Sequence, residues 1–259
     1  MKKIYFSLAV LMVGLCWGQS KTTIQTFNGK TGWKKTSQTT LAPNTQTRHV
    51  EPYDEILVEG NFEVTLVPGK EGEIHLDGPS DLIEETVVKN TKNGVKVYYK
   101  NWTKMKKIVQ INPRSRVLRV RIPVEYISAV SLSGSGSIKN DFILESNTLK
   151  SRLSGSGSIA LRLANGFSTS ELSGSGTIAL QGNAEAVKIR LSGSGIIDCK
   201  ALASPRAEAQ LSGSGTIKLQ ATESVVSNVS GSGHVNVYGN PSRIETNHAG
   251  SGKTRFMTP

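Results

Sequence analysis

The chain has 259 residues, 26 of them glycine, with aromatics at 6% and a formal charge of +11. That is enough for one large domain or two small ones, and so few aromatics call for a core of aliphatic and small residues. Two cysteines exclude a disulfide-dense scaffold, and 37% hydrophobic against 20% charged residues argues against a disordered chain.

Lys2 and Lys3 precede an apolar run from Ile4 to Leu15, the length of a secretory apolar region and too short to span a bilayer. Residues 1–18 are therefore predicted to be a signal peptide, cleaved after Gly18. Cys16 raises the question of lipidation, but Leu15 stands where a lipoprotein signal has a small residue. No other segment approaches 18 apolar residues, so no further spanning helix is predicted. Cleavage would leave Cys199 as the one cysteine and no internal disulfide. Residues 19–48 carry Lys21, Lys30, Lys34, Lys35 and Arg48, no acid, and no hydrophobic period. They read as a flexible basic leader.

Charge is then segregated. Residues 49–88 hold eleven acids and one base, residues 89–121 eleven bases and no acid, and residues 122–259 twelve bases and nine acids. Val58–Leu66 alternates, with Gly60 and Phe62 in a glycine-corner frame, and reads as a divergent first coil. Val87-Val88 and Val95–Tyr99 flank Asn93-Gly94, a hairpin signal. Val117–Pro123 alternates again and leads into a set of internal repeats.

Those repeats dominate the rest of the chain, residues 127–259. Ser-Gly-Ser-Gly begins at Ser133, Ser154, Ser173, Ser192, Ser212 and Ser230, with a weaker copy at Ala249, at spacings of 21, 19, 19, 20, 18 and 19. A period near 19 that tolerates insertions indicates a solenoid. In Leu153-Ser154-Gly155-Ser156-Gly157-Ser158-Ile159-Ala160-Leu161, the alternate positions Leu, Gly, Gly, Ile and Leu share one face. The glycines then mark a corner where the chain lies against its stacked neighbour. Asn165-Gly166, Gly182-Asn183, Pro205 and Gly239-Asn240-Pro241 supply the outer turns. The predicted fold is all-β: a right-handed parallel β-helix of about seven coils of ~19 residues with a divergent N-terminal β part, the hand following from parallel crossovers. In the last copy His248 replaces Leu and Thr254 replaces Ile, as expected of a terminal coil.

This ordered set resembles the head GIN domain family of auto-transporter adhesins. The resemblance rests on Tyr53–Leu66, on Leu118-Arg119-Val120-Arg121-Ile122-Pro123 and on the Gly-Ser-Gly series. It covers residues 49–259 and implies a β-helical protein exported to the Gram-negative envelope: periplasm, outer-membrane surface or outside the cell. It brings no catalytic or ligand residues. No amphipathic strands of a membrane barrel follow the repeats up to Pro259, so self-transport does not follow from the resemblance.

Two features could bind. The outward serines, Ser154, Ser173, Ser192, Ser212 and Ser230 and, two residues on, Ser156, Ser175, Ser194, Ser214 and Ser232, would form hydroxyl ladders suited to a polymer. Serine also suits a tight corner by bonding its own backbone, which accounts for the ladders without a ligand. The basic block mixes Lys96, Tyr98, Tyr99, Lys100, Trp102, Lys104, Lys106 and Lys107. Such a patch could engage an anionic polysaccharide or a lipid headgroup, or could simply offset the acidic block before it. With the charge so localised, nucleic acid is not an expected partner. No phosphate loop, calcium repeat or spaced ligand set is present, so no metal and no cofactor are expected. Glu171 and Glu185 fall at different coil positions, giving no paired carboxylates for glycan hydrolysis. The expectation is a non-enzymatic envelope solenoid that binds a surface polysaccharide or cell-surface protein. The alternatives are a purely structural module or, less favoured, a polysaccharide-active enzyme.

Overall fold

The computed structural model describes residues 44–101, 103 and 117–257, together with the backbone of residues 23–28 and 32–37. The signal peptide read from residues 1–18 lies outside them. The chain divides at Asn44 into two units. In the first, β1 (Thr23–Asn28) and β2 (Gly32–Ser37) pair antiparallel, with Phe27 opposite Trp33. The stretch read as a leader thus contains a strand pair.

The second unit is the solenoid. Its strands, in chain order, are β3 (Asn44–His49), β4 (Glu55–Gly60), β5 (Glu63–Pro68) and β6 (Glu73–Gly78), then, after α1 (Ser80–Glu85), β7 (Thr86–Asn90), β8 (Gly94–Tyr99) and β9 (Arg119–Val124). The repeats follow as β10 (Ala129–Gly134), β11 (Ser137–Lys139), β12 (Leu144–Gly155), β13 (Ser158–Gly174), β14 (Thr177–Gly193), β15 (Ile196–Ala203), β16 (Arg206–Gly213), β17 (Thr216–Gln220), β18 (Ser224–Gly231), β19 (His234–Tyr238), β20 (Arg243–Ala249) and β21 (Lys253–Met257). Each coil has a leading strand that runs into the glycine corner and a trailing strand that leaves it. Successive coils pair parallel and in register on both faces: Leu132, Leu153, Leu172, Leu191, Leu211 and Val229 form one inward column. Ile138, Ile159, Ile178, Ile197, Ile217 and Val235 form another. All are buried, which makes the stack an aliphatic core with a parallel β wall.

The two glycines of a corner serve different needs. Gly155 sits at φ +119°, a region that L side chains rarely enter. Gly157 does not, but a Cβ there would lie 2.6 Å from the Gly136 carbonyl oxygen and 2.9 Å from Leu132 Cδ2 of the coil below. The tight approach lets one carbonyl serve two donors. Ser156 and Gly157 both donate their N–H to Gly134 O, at 3.1 and 3.0 Å, and Ser158 donates to Gly136 O at 3.0 Å. The same pattern recurs at the next four corners. Cys199 stands in a core aliphatic column opposite Leu219. Burial, with help from the Asp198 charge, pushes its thiol up to about 12, so it stays an unreactive core thiol.

The N-terminal coils stack out of sequence order. β4 lies between β10 on one side and β8 on the other, and β5 between β11 and β9. The coil built from β8 and β9 is therefore the outermost layer, although it lies between its neighbours in sequence. Val117–Pro123 precedes the first full repeat in the chain but does not stack on it. The Asn93-Gly94 hairpin forms, with β7 antiparallel to β8. Its turn has no left-handed asparagine. Gly94 is required instead because a Cβ there would sit 2.4 Å from Glu55 O on β4. Beyond this layer β6 pairs antiparallel with β9, and β3 pairs with β6. The short α1 buries Leu82 and Ile83.

Candidate binding face

The leading strands carry a long groove of about 870 Å³ that crosses every coil from Leu57 to Ala249. Each coil contributes three consecutive residues, such as Arg152, Leu153 and Ser154. Except at His248 in the last coil the middle one is buried, and its neighbours are exposed or half-buried, so the groove lies on the outer surface. Its floor is strand backbone, and two columns of outward side chains form its walls.

The wall toward the corner is the first serine ladder: Ser133, Ser154, Ser173, Ser192, Ser212 and Ser230, all exposed. Stacking sets these hydroxyls about 4.8 Å apart. None of them hydrogen-bonds to the described chain, so the self-bonding expected of corner serines does not occur and the hydroxyls face solvent. The opposite wall is bonded to itself along the stack. Arg152 Nε donates to Glu171 Oε2 at 2.9 Å, and Arg190 Nε donates to Gln210 Oε1 at 3.2 Å. Asn247 Nδ2 donates to Asn228 Oδ1 at 3.0 Å. Lys150 and Arg190 also reach Glu171, at 3.0 and 3.4 Å, and Lys188 pairs with Glu208 at 2.7 Å. Burial alone would raise the Glu171 carboxyl, but hydrogen bonds from Arg152 and Lys150 outweigh it and hold the group below its ordinary value. Glu171 is thus committed to three cations, while Glu185 is exposed elsewhere on β14. A second hollow of about 450 Å³ sits past the corner of the early coils, between Asn61, Glu63, Ser135, Ser137, Ser156 and Ser158.

Of the basic patch read from the sequence, the described residues make contacts of their own. Lys96 pairs with Glu59 at 2.7 Å and lies over the Tyr98 ring at 5.2 Å. Tyr99 turns inward, buried, and stacks on Phe62 with ring centroids 4.2 Å apart. Lys100 Nζ donates to the Glu84 carbonyl at 3.1 Å. Trp102, Lys104, Lys106 and Lys107 lie outside the described residues. The two charge blocks meet through the coil order, since β8 and β9 carry bases onto the acids of β4, β5 and β6. Arg119 reaches Glu63 at 3.4 Å and Arg121 reaches Asp77 at 3.0 Å.

The histidines act locally. His49 faces Glu73 at 3.5 Å, and His75 faces Thr47 at 3.1 Å. No cluster of three potential metal ligands occurs among the described residues, and no described helix is long and apolar enough to cross a membrane. The groove itself was not legible residue by residue. Its serine wall was visible as a repeat, but the facing wall mixes Arg, Glu, Gln and Asn and shows only when the coils are stacked.

A parallel β-solenoid with Gly-Ser-Gly corners and an exposed groove defines a repeat protein with an extended outer face. The chain belongs to the family described as "Putative auto-transporter adhesin, head GIN domain", which matches residues 52–241. Its fold is that of a "putative adhesin" from Bacteroides fragilis, with a TM-score of 0.69 at 20% identity over 83% of this chain and 97% of that one. It is also similar to a "putative lipid binding protein" from Parabacteroides distasonis, with a TM-score of 0.66 at 21% identity over 83% and 97%. A "putative adhesin" from the same species gives 0.64 at 16%, with the same coverage. No curated protein matches the sequence.

Proposed function

We propose that the chain is an exported, non-enzymatic adhesin-like module of the cell envelope that binds a surface polysaccharide or cell-surface protein along its leading face. The observation that carries this reading is the groove. It runs from β4 to β20, and its serine wall offers one unpartnered hydroxyl in each of six successive coils while the facing wall is already bonded to itself. A ligand with a regular repeat along the solenoid axis could meet the same hydroxyl at each coil. Family membership supports the adhesin class and an exported location. The non-enzymatic reading rests on Glu171 being spent on three cations, because a working acid or base must be free to exchange a proton.

The test is binding of the purified chain to immobilised polysaccharides, to envelope proteins and to phospholipid vesicles. The vesicle arm is included because a structural relative is described as lipid binding. Ser173→Trp and Ser192→Trp fill the groove from exposed positions without entering the core, and should weaken binding at least about tenfold, as loss of a hot spot does. Changing Lys104, Lys106 and Lys107 to Ser should leave it unchanged. Binding lost only in the lysine variant would move the site to the basic segment, and no binding of any class at low salt would leave a structural module.

A further inference from the structure

The solenoid has one closed end and one open end. At the closed end β7 and β6 run antiparallel along the edges of β8 and β9. At the other end β20 and β21 each pair with a single neighbour among the described residues, β18 and β19. Every residue of β20 is exposed, and Ile244, Phe256 and Met257 are 51%, 46% and 38% accessible. Ile244 and Phe256 continue the inward columns of Val225 and Val237, with no described layer over them.

The charges of this coil stand apart from those of the others. In the interior, outward charges bridge from coil to coil, as in Arg152 to Glu171 and Lys218 to Asp198. Arg243, Glu245, Lys253 and Arg255 make no ion pair among the described residues. An edge is protected against strand addition by charged side chains, inward-pointing charge, proline or a bulge, and of these β20 and β21 carry the outward charges. Here the inward positions of β20 and β21 are Ile244, Thr246, His248, Thr254 and Phe256, none of them Lys, Arg, Asp or Glu.

The geometry points to a second copy of this chain as the occupant of this end, docked tail to tail about a two-fold axis. Because the opposite end is closed, head-to-tail stacking into a filament is blocked, and an isologous contact closes at two copies. With the axis through the corner at Gly250, β20 of one copy runs antiparallel to β21 of the other. Residues equidistant from Gly250 then face each other. Ile244 meets Phe256 of the second copy, Thr246 meets Thr254, and Glu245 meets Arg255. Apolar meets apolar, hydroxyl meets hydroxyl and acid meets base, each twice by symmetry. The dimer leaves both grooves free, so a surface bearing many copies of a ligand would be held by two sites at once. The pairing does not depend on what the groove binds.

Sedimentation velocity on the purified chain over a range of concentrations tests this. The expected result is a monomer–dimer equilibrium. Glu245→Arg should weaken it about tenfold by opposing like charges at two symmetric cross-strand pairs, and Arg255→Glu should do the same. The double swap, Glu245→Arg with Arg255→Glu, should restore the dimer to within a few fold of the parent, which no folding defect could mimic. A monomer at every concentration, assembly beyond two copies, or a double swap that stays as weak as the single changes would overturn it.

Discussion

The two ends of the solenoid solve the same problem with different chemistry. A stack of parallel coils must expose an unfinished core at each terminus. At the N-terminal end the chain adds antiparallel strands, a short helix and three aromatics: Tyr99 stacks on Phe62, and the Tyr53 hydroxyl donates to the Pro123 carbonyl. At the C-terminal end the core itself changes. His248 and Thr254 replace the aliphatics of the repeat, and the Thr254 N–H donates to His248 Nε2 at 3.0 Å. The Thr254 hydroxyl meets Ser227 at 2.7 Å. The first device buries apolar surface and excludes company. The second satisfies polar groups while leaving the edges free. The aromatics at the first end are buried, whereas Phe256 at the other is 46% exposed.

The largest expected effect separates the ends directly. Phe62 is fully buried under Tyr99, so Phe62→Ala should cost about 3–5 kcal/mol, as for other buried Phe truncations. Phe256 is 46% exposed on the open coil, and Phe256→Ala should cost the monomer less than about 1 kcal/mol. Urea denaturation at low protein concentration compares the two, and equal losses would mean that the closed end is not the stable one.

That contrast also shows what could be read from the sequence. The coils were legible because the period-2 alternation and the paired glycines repeat six times with almost constant spacing, and inward Leu and Ile fix the register. The order of the N-terminal layers was not. β8, β9 and β10 all alternate in the same way, and nothing local says which of them borders β4 and β5. Gly94 looked like a turn residue, while its structural role is to let β4 approach. That the basic block offsets the acidic one was readable as an alternative to a binding patch, but sequence adjacency hides the coil order that interleaves them. The patch residues Lys96 and Tyr99 were consequently spent on structure, one in an ion pair and the other in the core.

A smaller effect distinguishes interior charge from terminal charge. Glu171 is held below its ordinary value of 4.5 by its cationic neighbours, against the pull of burial. A carboxylate whose folded pKa is lowered adds stability above its unfolded value and loses it as pH falls through the folded one. The parent should therefore lose stability on acidification below about pH 4.5. Glu171→Gln should cost about 1 kcal/mol at neutral pH and low salt, the range for a partly exposed pair in a network, and should flatten that acid limb. Glu245→Gln, which removes a charge with no ion pair, should change monomer stability by less than about 0.5 kcal/mol. Thermal melts at several pH values compare them, and an equal neutral-pH loss in both would refute the distinction.

The smallest effect carries a sign that the repeat alone would get wrong. By the repeat pattern, His248→Leu restores the missing aliphatic and should stabilise. In the structure, no described layer covers the coil to bury that leucine, and the change removes the acceptor of the Thr254 N–H. A lost hydrogen bond at an exposed edge should cost about 0.5–1 kcal/mol, and Leu regains little of it while half its surroundings are water. Amide exchange in β20 and β21 should accelerate, with no change at β4 or β8. A slower exchange in the last coil would show that it behaves as one more repeat, and the difference between the two ends would then lie in the N-terminal strands alone.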